Sequence, residues 1–384
     1  MGRFSISSRK RTCLAVLLVA CISGTARAAD GDEAAKVLDD VLGAWKERES
    51  RVRTARFAWN ETCYISAGAR MPRHSGASIV LLPAADVTFD RSATLVLSGH
   101  LLRYSREGPV WDDFLGELVN RSHVSTFDGE NSRSFYSDDE MVPRRFKPVG
   151  FDNNEARNLQ SNYYMLAPVL LTFRAGSSDV GGRDFGALTL SSKTATVDGR
   201  PCAIVARDDK KANLVEEFWV DTHRDYLIVR VERSLPGKVT SLEVSYQNDT
   251  THGWVPSAWK WSATGPQSGR VFEQATATVT HYEINADIPQ EEFRFDFPPG
   301  TVVRDMRREK DYIQLQGDDK RIITREEIAR GATYEEFLRT ESGKAGLLRR
   351  PFFSTRTLLG AAVVLAIAIV VVIATKAWRQ RRSP

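Results

Sequence analysis

Between Thr194 and Trp261, apolar and polar residues alternate in short runs, and each run ends in a polar turn. In Leu227–Ser234 the alternation sets Leu227, Val229 and Val231 on one face and Arg230 and Glu232 on the other. Val239–Tyr246 repeats the pattern with Leu242, Val244 and Tyr246, and Leu235-Pro236-Gly237-Lys238 joins the two runs. A period of two with one apolar face is the pattern of an antiparallel sheet covered on one side and wet on the other. Leu214, Phe218 and Val220 extend it upstream, Phe272 and Val279 downstream. From Phe57 to Tyr282 the sequence predicts about ten strands, the range of a barrel or a strongly curved sheet.

Other elements are placed around this ladder. Asp32–Arg53 predicts an amphipathic helix whose apolar face is Ala34, Val37, Leu38, Val41, Leu42 and Trp45. Arg56–Ile65 and Ser78–Leu82 read as strands. Two hairpins follow, one about Ser98-Gly99 and one about Asp128-Gly129-Glu130-Asn131. Val110–Val119 predicts a short helix, with Val110, Phe114, Leu115 and Leu118 at helical spacing. Asn154–Arg174 predicts helix interrupted at Pro168. Phe293–Pro299 predicts an alternating aromatic strand, and Tyr312–Ile323 a hairpin about Gly317. Thr324-x-x-Glu327 and Thr333-x-x-Glu336 are capping boxes for two short helices split by Gly331. The class expected from these patterns is mainly β (α+β), a barrel or strongly curved antiparallel sheet.

The chain ends predict export and anchoring. Residues 1–28 combine a basic start, an apolar run too short to span a bilayer, and Ala26-Arg27-Ala28, the pattern of a cleaved signal peptide. Leu18-Val19-Ala20-Cys21 also fits a lipobox. Residues 357–375 are uniformly apolar and long enough to span, with Arg349, Arg350 and Arg356 before them and Lys376, Arg379, Arg381 and Arg382 after. The expected order is signal peptide (1–28), β domain (29–305), hairpin and short-helix extension (306–341), stalk (342–356), transmembrane helix (357–375) and cytoplasmic tail (376–384). The bulk then lies outside the cytoplasm, on the periplasmic face of the inner membrane. The net charge of +4 comes from the ends. Without their ten basic residues, 43 basic face 49 acidic residues. A basic footprint for nucleic acid is therefore absent.

Catalytic signals are weak. The six histidines, His74, His100, His123, His223, His252 and His281, show no ligand spacing with each other or with Cys, so no metal or cofactor is expected. No G-x-S-x-G elbow or P-loop occurs. His223 sits in Asp221-Thr222-His223-Arg224-Asp225, a polar cluster where a hairpin turn is needed. Of Glu216-Glu217, one carboxylate faces inward if the strand is regular, and a buried one hints at function. Cys63 and Cys202 survive signal cleavage and are either bridged or separate buried thiols. Three triplets, at Asn60, Asn120 and Asn248, fit the glycosylation acceptor pattern. Candidate lining of an apolar cavity is Phe57, Trp59, Leu95, Leu97, Leu102, Tyr104, Trp219, Leu227, Val229 and Val231.

Several stretches, in order, resemble the LolA/LolB/RseB-like family of bacterial envelope proteins: Ser98-Gly99-His100-Leu101-Leu102-Arg103-Tyr104, Ser125-Thr126-Phe127-Asp128-Gly129-Glu130-Asn131, Pro168-Val169-Leu170-Leu171, Phe218-Trp219-Val220-Asp221, and Phe293–Asp305. The region Tyr312–Glu341 is similar to an addition in some planctomycete-type secreted proteins. The resemblance covers about residues 45–305 and implies an unclosed half-barrel with covering helices, whose concave face holds acyl chains or a peptide. Two features depart from it. Leu97-Ser98-Gly99 stands where lipoprotein carriers have Arg-Pro, and this chain is tethered where such carriers are soluble. The expected function is non-enzymatic: a single-pass, extracytoplasmic domain binding a lipid, lipoprotein or hydrophobic peptide. Alternatives are an envelope-sensing or scaffold module acting through protein contacts, and an enzyme with a dispersed site around His223 and Asp225.

Overall fold

The computed structural model describes residues 33–68, 81–112, 115–138, 149–153, 163–175, 188–210, 213–266 and 268–339. The expected signal peptide, lipobox, stalk, transmembrane segment and tail lie outside these residues. Among the described residues no helix is long and apolar enough to cross a membrane.

The first element is helix α1, residues 33–51. Strand β1 (Thr54–Ile65) follows, then the long hairpin strands β2 (Val87–Ser98) and β3 (Leu101–Asp112), and β4 (Glu117–Phe127), β5 (Ser132–Asp138) and β6 (Val149–Asn153). Helix α2 (Tyr163–Phe173) leads to the second run: β7 (Thr189–Val197), β8 (Arg200–Asp209), β9 (Leu214–Asp221), β10 (Leu227–Leu235), β11 (Lys238–Asp249), β12 (Gly253–Thr264) and β13 (Val271–Ile284). β14 (Val302–Asp305), β15 (Lys310–Gln314) and β16 (Lys320–Ile322) close the series.

These sixteen strands form one unclosed, curved sheet in the order β16-β15-β14-β6-β5-β4-β3-β2-β1-β13-β12-β11-β10-β9-β8-β7. β1 is the joint between the two runs. It pairs antiparallel with β2 on one side and with β13 on the other, so Phe57 faces Leu95 and Tyr282. Its burial alternates without a break, with Ala55, Phe57, Trp59, Glu61 and Cys63 all on the inner face. The β15–β16 hairpin, expected in an extension beyond residue 305, forms the last strands of the same sheet. The chain divides at Ile322/Ile323. The second unit holds α3 (Arg325–Ala329) and α4 (Tyr334–Arg339), and both capping boxes are formed.

Two expected elements are replaced, and a third is described only at its end. Val110–Val119 is no helix. Val110 pairs with Val119 and Trp111 with Leu118 across a turn in which Gly116 has φ +70°. The helical spacing arises because a tight hairpin also brings apolar residues together. Leu81 and Leu82 lie in no strand, and the rest of Ser78–Leu82 is outside the described residues. Phe293–Pro299 is not a ladder strand. Gln290–Phe293 is a turn of 3-10 helix, and the residues after it cross the outer face as an extended strap. Arg103 donates to the Glu292 carbonyl and Arg133 to that of Phe295. Phe293 packs with Val96 and Ile288, and Phe297 with Phe135, Val303 and Tyr312. The alternation thus reflects side chains docking in turn on a sheet, while Pro298 and Pro299 have no N–H to give a ladder.

Candidate functional site: the inner face of the sheet

The main core lies on the inner face. Phe57, Trp59, Leu95, Leu97, Leu102, Tyr104 and Val231, all expected cavity residues, belong to one buried cluster. Val41 and Trp45 of α1 and Leu166, Val169, Leu170 and Phe173 of α2 fill it from above. Trp45 Nε1 donates to the Tyr226 carbonyl at 2.9 Å. Two arginines fasten the helices to one end of the sheet. Arg174 donates to the carbonyls of Val52, Arg53, Gly99 and Phe173, and Arg48 to those of Thr172 and Asp225. Both are pushed down from the usual arginine pKa, chiefly by burial.

Trp219, Leu227 and Val229 belong elsewhere. They lie with Cys202 in a separate cluster, on the face opposite Phe218, Val220 and Ile228. The cause is a β-bulge. Ile228 pairs with Val220, but the next pair is Arg230 with Trp219, leaving Val229 as an extra residue. The insertion reverses the parity, so Val231 shares the inner face with Ile228, whereas Leu227 does not. Arg230 stacks on the Trp219 ring at 5.0 Å.

Charge enters the inner face away from the helices. Glu216 is the inward member of its acidic pair and lies fully buried between Arg207 at 3.3 Å and Arg233 at 3.4 Å. Glu61 is likewise buried; it accepts from Trp59 Nε1 at 2.7 Å and from Arg91 Nε at 2.6 Å. Next to it, strands β3–β5 carry a polar cluster that histidine spacing alone did not reveal. The register sets Arg106 beside His123 and His123 beside Tyr136. Ser125 Oγ lies 2.8 Å from both His123 Nε2 and Ser134 Oγ. His123 stacks on Tyr136 with ring centroids 4.2 Å apart. Burial, with Arg106 and Arg121 nearby, pushes His123 down to about 3, so the ring is neutral at pH 7. The readable signal was His123-x-Ser125 opposite Ser134-x-Tyr136 across a hairpin of fixed turn length.

The Ser125–His123 contact has the spacing of a nucleophile and base. Both residues are fully buried, and Nδ1 has no hydrogen-bond partner among the described residues, unlike the oriented histidine of a triad. His223 is an exposed turn residue whose ring meets Thr222 at 3.2 Å. Asp221 beside it is buried, accepts from the His223 backbone and pairs with Arg200 and Arg224. Asp225 is exposed at φ +49°, as turn geometry requires. Cys63 and Cys202 are free and buried, and five strands separate β1 from β8 in the sheet. No group of three or more potential metal ligands occurs among the described residues.

No family model and no curated protein matches the chain. Among solved structures it is similar to a DUF1329 family protein from Desulfovibrio piger, at 14% identity over 68% of this chain and 97% of that one, with a TM-score of 0.34. It is also similar to PNGF-II in two crystal forms, at 7% and 8% identity and TM-scores of 0.21 and 0.18. This chain spans about a third of PNGF-II, with 31% and 32% covered. At these TM-scores the likenesses bear on neither fold nor function.

Proposed function

We propose that this chain is a non-enzymatic binding protein that holds a lipid, a lipoprotein acyl chain or a hydrophobic peptide on the inner face of its sheet, as the LolA/LolB/RseB-like resemblance implies. The observation that carries this reading is the cover. The apolar inner face is roofed by α1 and α2, which meet it through side chains and two arginines and not through strand pairing. Displacing the helices leaves every ladder hydrogen bond of the sheet intact and uncovers a continuous apolar surface, the physical requirement for an apolar ligand. Solvent extraction of the purified full chain, followed by mass spectrometry, tests it. A stoichiometric apolar compound is expected; extracts that repeatedly contain none contradict the reading.

A second reading has its own support. The same inner side chains are already filled by the protein's own helices, which suits a scaffold that acts through protein contacts. Protein partners that persist when the chain is shown to be ligand-free favour it. Anchoring by residues 357–375, with the bulk outside the cytoplasm, belongs to the same proposal. Alkaline carbonate washing of membranes checks it: the full chain stays in the pellet if anchored and is released if peripheral.

A further inference from the structure

We propose that the outer edge of β7 fits the β7 strand of a second copy of this chain, and that the insertion Ser192-Lys193 keeps that edge closed, so that copies of the chain stay apart.

An open sheet has two edges, and these two differ. At one end β16 is three residues long, Lys320-Arg321-Ile322, and two of the three are cationic. A strand so short and so charged is a poor template for another chain. At the other end β7 runs for nine residues, TLSSKTATV, and among the described residues it pairs only with β8. None of its nine side chains is buried, and Lys193 is its one charged residue. Its outward N–H and C=O groups form the open ladder that strand addition uses. The β7 of a second copy is the matching occupant. It has the same length and composition and pairs antiparallel about a twofold axis, whereas β16 is too short to cover the edge.

The interruption in β7 shows how the edge is kept closed. Leu190 pairs with Val205 and Thr194 with Ala203. On β8 only Ile204 separates the two partners, while on β7 Ser191, Ser192 and Lys193 do, so β7 holds two residues more than its register needs. A one-residue bulge such as that at Val229 turns a strand's faces over, but an insertion of two returns them. The flanking side chains therefore keep their faces with or without it. Its effect falls on the edge. It kinks the middle of the free ladder and leaves Lys193 exposed there, with the Lys193 backbone N–H donating to Ser191 Oγ at 3.2 Å. A bulge and a lysine each hinder an edge strand from pairing with another chain. In a twofold pair the lysines of both copies would also approach one another, which is unfavourable.

Without Ser192 and Lys193 the strand reads Thr-Leu-Ser-Thr-Ala-Thr-Val, seven residues with no charge, no proline and four β-branched side chains. That is the composition that pairs edge to edge.

Sedimentation of the full chain in detergent, combined with hydrogen exchange at β7, tests this. In the wild type, the alternate β7 amides that face away from β8 are expected to exchange fast. Deleting Ser192 and Lys193 should strengthen self-association about tenfold or more and protect those amides. Adding Ser191→Lys to the deletion should return both readings toward wild type, because it restores the charge alone. Lys193→Val keeps the insertion and should strengthen association by a smaller factor, which decides the matter if the shortened strand fails to fold. Self-association unchanged in both variants overturns the proposal. Association that leaves the β7 amides exchanging fast also overturns it, because the contact then lies elsewhere. Slow exchange of those amides in the wild type overturns it as well, because the edge is then already covered.

Discussion

Arg174 shows how single side chains set this structure. Its guanidinium is buried and spends its hydrogen bonds on four carbonyls, two of them just past the end of α1 and one at the end of α2. Cations at helix C-termini are favourable, and each charge-assisted bond adds to the hold. Arg174→Gln is expected to lower unfolding stability by about 3 kcal/mol in denaturant titrations. Arg174→Lys should not restore it, because an ammonium lacks the planar fork that reaches several carbonyls. His123 gives a pH prediction with a definite sign. Its folded pKa of about 3 lies below the ordinary histidine value, so the unfolded chain binds more protons between those two values. The stability contribution is complete above about pH 6.5 and is lost as pH falls toward the folded pKa, with up to about 2 kcal/mol gone by pH 5. His123→Asn should flatten the stability profile over that window; an unchanged slope contradicts the assignment. At this scale the sequence was half legible. Strand parity announced that one of Glu216 and Glu217 faces inward without establishing its burial, and the row of Arg106, His123 and Tyr136 needed two hairpin registers that parity does not supply.

Among the elements, hairpins were the most legible, because their turns carry local chemistry. Asp128 accepts from the backbone of Glu130 and Asn131, and Asp198-Gly199 turns the chain with positive φ at both residues. β10 was misread because one inserted residue reverses a strand's faces without marking the sequence. Deleting Val229, the extra residue, keeps Ile228 and Val231 facing inward, whereas deleting Val231 sends the core residues on one side of it outward. The second deletion is expected to abolish cooperative unfolding and the first to retain it. The outer strap gives a sharper test. A Cβ on Gly150 would lie 2.5 Å from the Phe297 ring. Gly150→Ala should therefore cost roughly 1–3 kcal/mol and raise proteolysis within residues 294–300, because the ring cannot stay over β6. Unchanged protection there contradicts the docking of the strap. FRFDFPP was read as a strand because docking on a sheet and pairing within one leave the same alternation.

For the whole molecule, mainly β character and a choice between barrel and strongly curved sheet follow from the alternating runs, and openness was only what the resemblance implied; the point of assembly follows from neither. β1 joins the two halves by pairing with β2 and β13, and its partner in β13 lies more than two hundred residues away. Period-two patterning says which residues share a face and leaves strand order open. The same limit hid which face the helices cover. Once order and cover are known, the inner face divides into an apolar part under α1 and α2 and a part across β1–β5 where aromatic rings stand beside ion pairs. Trp59, Trp259 and Trp261 lie on that face, while Trp111 and Trp219 lie on the other. The central claim is that an apolar chain occupies the inner face, and quenching of tryptophan emission by a brominated fatty acid tests it most directly. Saturable quenching is expected in the wild-type full chain, largely lost when Trp45, Trp59, Trp259 and Trp261 are changed to Phe. Absent quenching, or quenching unchanged in that quadruple variant, would contradict it.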